Sequence, residues 1–467
     1  MNNVKVQGGL KVEQTRWFHA IIGSRSCQSK LEHAFDISLV KGYSRDRNLW
    51  GGLGVDRVIL HCDLNSFFAS VELLAHPELR HLPVAVCGDP ESRHGIILAK
   101  NEPAKRFGIK TAETIWQARK KCPQLQLLPA HQGQYRLWSQ KVNEIYQQYT
   151  DLVEPFGVDE SWLDVTGSLH LFGWDGGNLA DELRRRIRSE LGLTISVGVS
   201  FNKVFAKLGS DYKKPDATTV ITRENYRELV WPLPVTDLLY VGRSAAETMK
   251  KFGIQTIGGL AQFDRGMLFA LMGKHGAQLH DYACGKSNDP VLPARETPPP
   301  KSVGGGLTFP RDLKGEAEIR SGISMLCDRV AARLRKCDMK CAGVHLSLRD
   351  PNFSNVGRQT RLNVPTWLSR ELFAAAMELA QSHWNMNHPV RAITVTGIYL
   401  ISADEAGAQM TLLDRGEGER RDKLEKLDRT MDAIRRKYGA DAIASASVPV
   451  RLRDQEDGQI PPPGSRT

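Results

Sequence analysis

A multidomain mixed α/β (α+β) fold is what this sequence predicts, on three observations. Its 467 residues exceed what one hydrophobic core organises, so roughly two to four compact units are expected. Short apolar strands alternate with helical periods between residues 57 and 231. A second run of strand, helix, strand, strand, helix, strand spans about 301–401, beyond a Pro-Pro-Pro tether at 298–300.

Taken in chain order, residues 1–55 mix Gly, Ser, Arg and Asn without a sustained period, and are expected as a disordered or non-native extension. RVILHCD, from Arg57, reads as a strand that delivers Asp63 to a rim, and SFFASVELLA as a helix starting near Ser66. Asp151 to Thr166 reads as two strands joined by a tight turn at Gly157–Glu160, which carries Asp159 and Glu160. Helical patterns at about 134–150 and 178–191 and the strand LTISVGVS at 193–200 complete the first α/β unit. Beyond Trp231 come short helices punctuated by glycine. The tail from Ala403 is polar, with one helix expected at about 418–438.

Composition narrows the classes of function. Lys and Arg number 63 against 53 Asp and Glu, a surplus of ten that suits a polyanion-binding protein and equally a merely soluble basic one. No apolar run reaches membrane-spanning length, so no membrane role is expected and a cytoplasmic location is. Eight scattered cysteines do not form a disulfide framework. Cys337, Cys341 and His345 lack a second ligand pair for zinc and sit in a strand pattern. Arg320, Arg329, Arg333, Arg335 and Lys336 on the helix near 315–336, with Arg349, Arg358 and Arg361 on strands, read either as a face for a phosphate backbone or as a solvated surface.

Asp63, Asp159 and Glu160 are the candidate catalytic residues. Joining a nucleotide to a 3′ hydroxyl requires an activated attacking oxygen and a neutralised pyrophosphate, work suited to two magnesium ions held by carboxylates. Magnesium takes hard oxygen ligands and leaves positions for water and substrate phosphate, so a few acids suffice. On these residues alone, a nucleotidyl cyclase with the same two-metal logic and a non-catalytic DNA-binding accessory remain alternatives.

Three segments go further: HCDLNSFFASVE at 61–72, FGVDESWLDVT at 156–166 and VGVSFNKVFAKLGSDYKKPDA at 197–217. They resemble the principal motifs of the Y-family DNA polymerases, the DNA polymerase IV branch most of all, and the similarity runs from about Asp56 to Leu400. The resemblance implies a right-hand polymerase: palm at 56–65 and 133–231, fingers at 66–132, a helix-hairpin-helix-like thumb at 232–297, little finger at 298–401 and a flexible tail at 402–467. It implies translesion synthesis without proofreading, in DNA damage tolerance, by a monomer that takes primer-template DNA and dNTPs. Asp63, Asp159 and Glu160 would hold two Mg2+, with the Leu64 carbonyl as a further ligand. Lys214 and Tyr135 would meet the triphosphate, and Tyr135 would also support Phe68, the steric gate against ribonucleotides. Phe67 and Phe68 point about 100° apart on a helix, so only one of them can face the sugar.

The chain also departs from the family pattern. Glu102 and Lys105 stand where relatives often carry Tyr and Arg, so the nucleotide contact implied for Lys105 lacks the planar fork of a guanidinium. Tyr240 replaces the first hairpin glycine, which predicts a distorted hairpin, while Gly242 and Arg243 remain as the implied DNA phosphate contacts. Gln409, Leu412 and Leu413 resemble the peptide by which bacterial polymerases bind the sliding (beta) clamp. Residues 1–54 are expected to be dispensable. The glycines before Val55 imply G-rich codons like a ribosome-binding site, which makes Val55 the expected start.

Overall fold

Residues 56–89, 95–294, 296, 299–405, 417–439 and 442–443 are described by the computed structural model. The N-terminal extension and the peptide from Gln409 to Leu413 lie outside the described residues.

Strands β1 (Ile59–Leu64), β5 (Val153–Pro155), β6 (Glu160–Asp164), β7 (Ile195–Ser200) and β8 (Thr218–Ile221) make a five-stranded sheet in the order β5-β6-β1-β7-β8. Only β7 and β8 run parallel. Side chains alternate across a strand, and β1 uses both faces. Leu60, Cys62 and Leu64 enter a core with Val142 and Ile145 of the helix Gln132–Tyr146 and Leu179, Leu183 and Ile187 of Gly176–Leu191. Ile59, His61 and Asp63 take the other face, against Ala206, Ser210 and Lys207 of the helix Lys203–Tyr212. Burial on both faces explains why β1 is mostly apolar, and it makes His61 and Asp63 the exceptions.

The helix Lys203–Tyr212 is capped by Asn202, whose side chain accepts from Phe205 N at 2.8 Å. It lies tight on β7 because glycines meet there. A Cβ on Gly198 would come within 1.9 Å of the Ala206 carbonyl oxygen, and one on Gly209 within 2.9 Å of the Gly198 Cα. A side chain at either position would lift the helix, and Lys207 with it, off the sheet.

Strands β2 (Val84–Cys87), β3 (Ile97–Lys100) and β4 (Gln126–Pro129) form a three-stranded sheet in the order β3-β2-β4, with a small core of Ala85, Ile97, Ile109, Cys122 and Leu125. The helices Arg243–Lys251, Ile257–Gln262 and Arg265–Ala283 share a core with Phe205 and Leu208.

The last sheet, antiparallel in the order β11-β10-β12-β9, comprises β9 (Ser302–Leu313), β10 (Met339–Arg349), β11 (Asn355–Thr366) and β12 (Val390–Ser402). The helices Gly315–Lys336 and Ser369–His383 pack against it, in the strand and helix order expected over 301–401. Cys341 is buried in that core while Cys337 is exposed.

On Gly315–Lys336, read either as a phosphate-binding face or as a solvated surface, Arg320, Arg333 and Lys336 are exposed, whereas Arg335 departs from both readings. Arg335 is only 5% exposed and is held by Asp428 at 2.9 Å and Asp432 at 2.6 Å, both on a further helix, Glu417–Tyr438. Arg333 donates to the Gly304 carbonyl and Arg320 lies over the Phe373 ring. Lys340–Glu425, Arg421–Glu371 and Arg435–Asp328 pairs extend the same contact. Arg335→Ala would strand Asp428 in a poorly hydrated seat, so the variant is expected to lose about 3 kcal/mol of stability. Hydrogen exchange should show the amides of Glu417–Tyr438 deprotected; unchanged protection would contradict this docking.

Candidate active site

The strand register brings the acids together. Asp63 on β1 is the antiparallel partner of Glu160 on β6, and directly opposed residues project to one face. Asp159 ends the turn between β5 and β6, where its carbonyl accepts from Leu64 N at 3.0 Å. Leu64 itself is buried at the end of β1.

Lys207 lies between two of these acids. Its Nζ is 3.2 Å from Asp63 Oδ2 and 2.9 Å from Glu160 Oε1. Lys214 donates to Asp63 Oδ2 at 2.7 Å and pairs with Asp211 at 2.8 Å. Asn65 secures that second lysine: its side chain accepts from Asp216 N at 2.8 Å and donates to Ser196 Oγ at 2.9 Å. Arg184 and Arg188 hold the Asp216 carboxylate from outside.

The electrostatics are those of like charges forced into one place. Burial raises the Asp159 carboxyl, and the neighbouring Asp63 and Glu160 charges add to it. Burial pushes Glu160 the same way, but His61 and the Lys207 ammonium outweigh it and hold that carboxyl well below the usual range. Burial opposes the charge of Lys207, yet Asp63, Asp211 and Glu160 keep it protonated above the usual lysine range. His61 bonds through Nδ1 to Ser210 Oγ at 2.8 Å. Its buried Nε2 faces Glu160 Oε2 at 3.5 Å without a hydrogen bond.

Among the described residues no three His, Cys, Asp or Glu are gathered into a set that would hold a metal ion. The cluster expected of Asp63, Asp159 and Glu160 is instead found with a lysine bridging Asp63 and Glu160. The donor chemistry still fits a hard divalent cation. Asp63 and Glu160 are opposed at the strand ends beside the turn that bears Asp159, they offer hard oxygen donors, and the ammonium groups of Lys207 and Lys214 show that the site already attracts cations.

Next to the acids, Phe67 is buried at 3% exposure, while Phe68 is partly exposed and stacks on Tyr135 with centroids 3.9 Å apart and planes 8° apart. The Tyr135 hydroxyl donates to Glu72 Oε1 at 2.5 Å and accepts from His131 N at 3.0 Å. Burial and the Glu72 carboxylate push that hydroxyl above the usual tyrosine range. Tyr135 is therefore seen as a fixed platform under Phe68, and its hydroxyl is already engaged by protein.

Lys105 pairs with Glu102 at 2.6 Å, and Glu102 also accepts from Ser66 Oγ at 3.3 Å. In the helical region Tyr240 adopts φ 70, the left-handed conformation open to glycine, and Gly242 caps the helix Arg243–Lys251. Tyr240 thus holds a backbone conformation that is strained for a residue with a side chain. Arg243 is 92% exposed and paired with Glu247 at 2.8 Å.

Sequence reasoning passed over His61, Asn65, Glu72 and Lys207. His61 was findable, since it lies two residues before Asp63 and period-two alternation puts both on one face. Lys207 shares the third motif with Lys214, but only the packing of its helix on β7 aims it at Asp63.

Comparison with known proteins gives a consistent picture. The chain matches the impB/mucB/samB family over residues 62–211 and the C-terminal domain of that family over residues 300–412. It is 46% identical over 383 residues to the DNA polymerase IV of Acetivibrio thermocellus, spanning 82% of this chain and 95% of that one. Identity to the DNA polymerase IV of Moorella thermoacetica is 38% over 392 residues, 84% of this chain and 96% of the other. To DNA polymerase IV 1 of Bacillus subtilis it is 35% over 395 residues, 85% and 94%. A solved Y-family DNA polymerase chimera shares the fold with a TM-score of 0.66 at 21% identity, covering 74% of this chain and 99% of the chimera.

Proposed function

This chain belongs to the Y family of DNA polymerases, in the DNA polymerase IV branch, and is a DNA-directed DNA polymerase; on that premise we propose that it copies past damaged template bases by two-metal nucleotidyl transfer at Asp63, Asp159 and Glu160. The observation that carries the reading is the register of β1 on β6, which opposes Asp63 to Glu160 beside the turn that bears Asp159.

The family depends on divalent metal, and the proposed ions are two Mg2+, held by Asp63, Asp159 and Glu160 with the Leu64 carbonyl. Bound there, they supply activation of the primer 3′ oxygen and neutralisation of the leaving pyrophosphate. Asp63 and Glu160 would serve as oxygen ligands in place of their present contacts with Lys207, whose charge would help balance the acids. Lys214, mounted by Asn65 and Asp216, presents an ammonium to the triphosphate as negative charge builds on it. Phe68 closes the sugar pocket, and Tyr135 keeps the Phe68 ring from turning.

The proposed domains are a palm built on the five-stranded sheet, fingers on the three-stranded sheet, a helical thumb and a little finger on the four-stranded sheet. Gly242 and Arg243 are proposed to meet a DNA phosphate. We assign the enzyme to DNA damage tolerance, without proofreading, as a cytoplasmic monomer. No helix among the described residues is long and apolar enough to cross a membrane.

Primer extension by the full chain on templates carrying defined lesions tests the activity. Incorporation opposite at least one lesion, with Mg2+ and no accessory protein, is expected; none on any template would overturn it. The clamp assignment has its own test. Leu412→Ala with Leu413→Ala is expected to abolish stimulation by the sliding clamp while unstimulated synthesis persists, and undiminished stimulation would remove the assignment.

A further inference from the structure

Glu102 sits on a rigid mount. The Asn101 side chain accepts from Ala104 N at 3.1 Å and from Val84 N at 3.0 Å and donates to the Leu82 carbonyl at 2.8 Å, so a buried residue fixes the start of the short helix Glu102–Lys105 against β2. From that mount the Glu102 carboxylate reaches Lys105 at 2.6 Å and the Ser66 hydroxyl at 3.3 Å. Ser66 lies three residues after Asp63 and two before Phe68, so Glu102 bonds to the short segment that joins the acid to the ring assigned to the sugar.

An incoming nucleotide brings a polyanion to the Lys105 side of the site, and a carboxylate fixed there opposes it. Lys100 donates to Thr111 and Lys105 is taken by Glu102, so Lys105 is bound to an anion of the protein's own. Both members of the pair are partly exposed, at 38% and 43%, so it opens at small cost when a stronger anion arrives.

We propose that Glu102 is a specificity-determining residue for the nucleotide: its carboxylate is an internal counterion that occupies Lys105 and Ser66 until a triphosphate displaces it. A triphosphate carries enough charge to compete; a diphosphate or monophosphate competes less well. The proposal rests on the reading that Lys105 meets the incoming nucleotide.

The test is steady-state insertion of a single dNTP by the full chain, comparing wild type, Glu102→Gln, Lys105→Ala and the double variant. Glu102→Gln is expected to lower the KM for dNTP about three- to ten-fold with kcat within about two-fold. The same change in the Lys105→Ala background should have no effect, because the cation it liberates is gone. Inhibition by the matching dNDP should strengthen in Glu102→Gln. An unchanged or raised KM in Glu102→Gln, with Lys105→Ala raising it, would overturn the counterion role alone. An unchanged KM in Lys105→Ala would overturn the nucleotide reading of Lys105 and the proposal with it.

Discussion

Asp159→Ala is expected to lower primer extension by about 10³-fold or more while affinity for primer-template DNA changes little. Asp159 ends a turn, and the part of it that holds the fold is its backbone carbonyl, bonded to Leu64 N, which alanine keeps. Its carboxyl is already raised by burial and by two neighbouring acids, so removing it relieves repulsion in the folded protein. The variant should therefore be at least as stable as wild type and inactive. Glu160→Ala should also be inactive but is a less clean probe, because it deprives Lys207 of a partner at 2.9 Å. Thermal unfolding beside single-turnover extension separates these outcomes. An active Asp159→Ala enzyme would remove the carboxylate triad from the chemistry.

Phe68→Ala is expected to reduce discrimination against ribonucleotides by about 10²-fold or more while DNA synthesis persists. The ring is held face to face on Tyr135, and Tyr135 is held through its hydroxyl by Glu72 and His131. A wall supported in this way cannot retreat from a 2′ hydroxyl, which would be left both crowded and without a hydrogen-bond partner. Phe67→Ala is the contrasting variant: it empties a buried site and should cost about 3–5 kcal/mol of stability while leaving sugar choice intact. Paired dNTP and rNTP insertion kinetics decide between them, and discrimination retained in Phe68→Ala would place the gate elsewhere.

The readable parts of the fold and site were those set by local pattern. A strand with an acid next to its end, a glycine turn bearing a second acid with a third opening the next strand, and the 100° step between Phe67 and Phe68 all lie within a few residues. What escaped depended on distant packing. Lys207 reaches Asp63 only because Gly198 and Gly209 let its helix sink onto β7. Glu102 meets Ser66 across 36 residues, and neither neighbourhood announces the other. Arg335 was grouped with a solvent-facing basic stripe because its partners, Asp428 and Asp432, lie more than ninety residues downstream. Tyr240 stands where the resemblance implies a glycine, and the chain adopts a positive φ at tyrosine there.

Anomalous diffraction from a Mn2+-loaded ternary complex, with primer-template DNA and a non-hydrolysable dNTP, tests the two-metal assignment most directly. Two peaks roughly 3.5–4 Å apart are expected, ligated by Asp63, Asp159 and Glu160, with the Lys207 ammonium displaced from between Asp63 and Glu160. A single peak, or Lys207 still bridging those two carboxylates with nucleotide bound, would contradict the account.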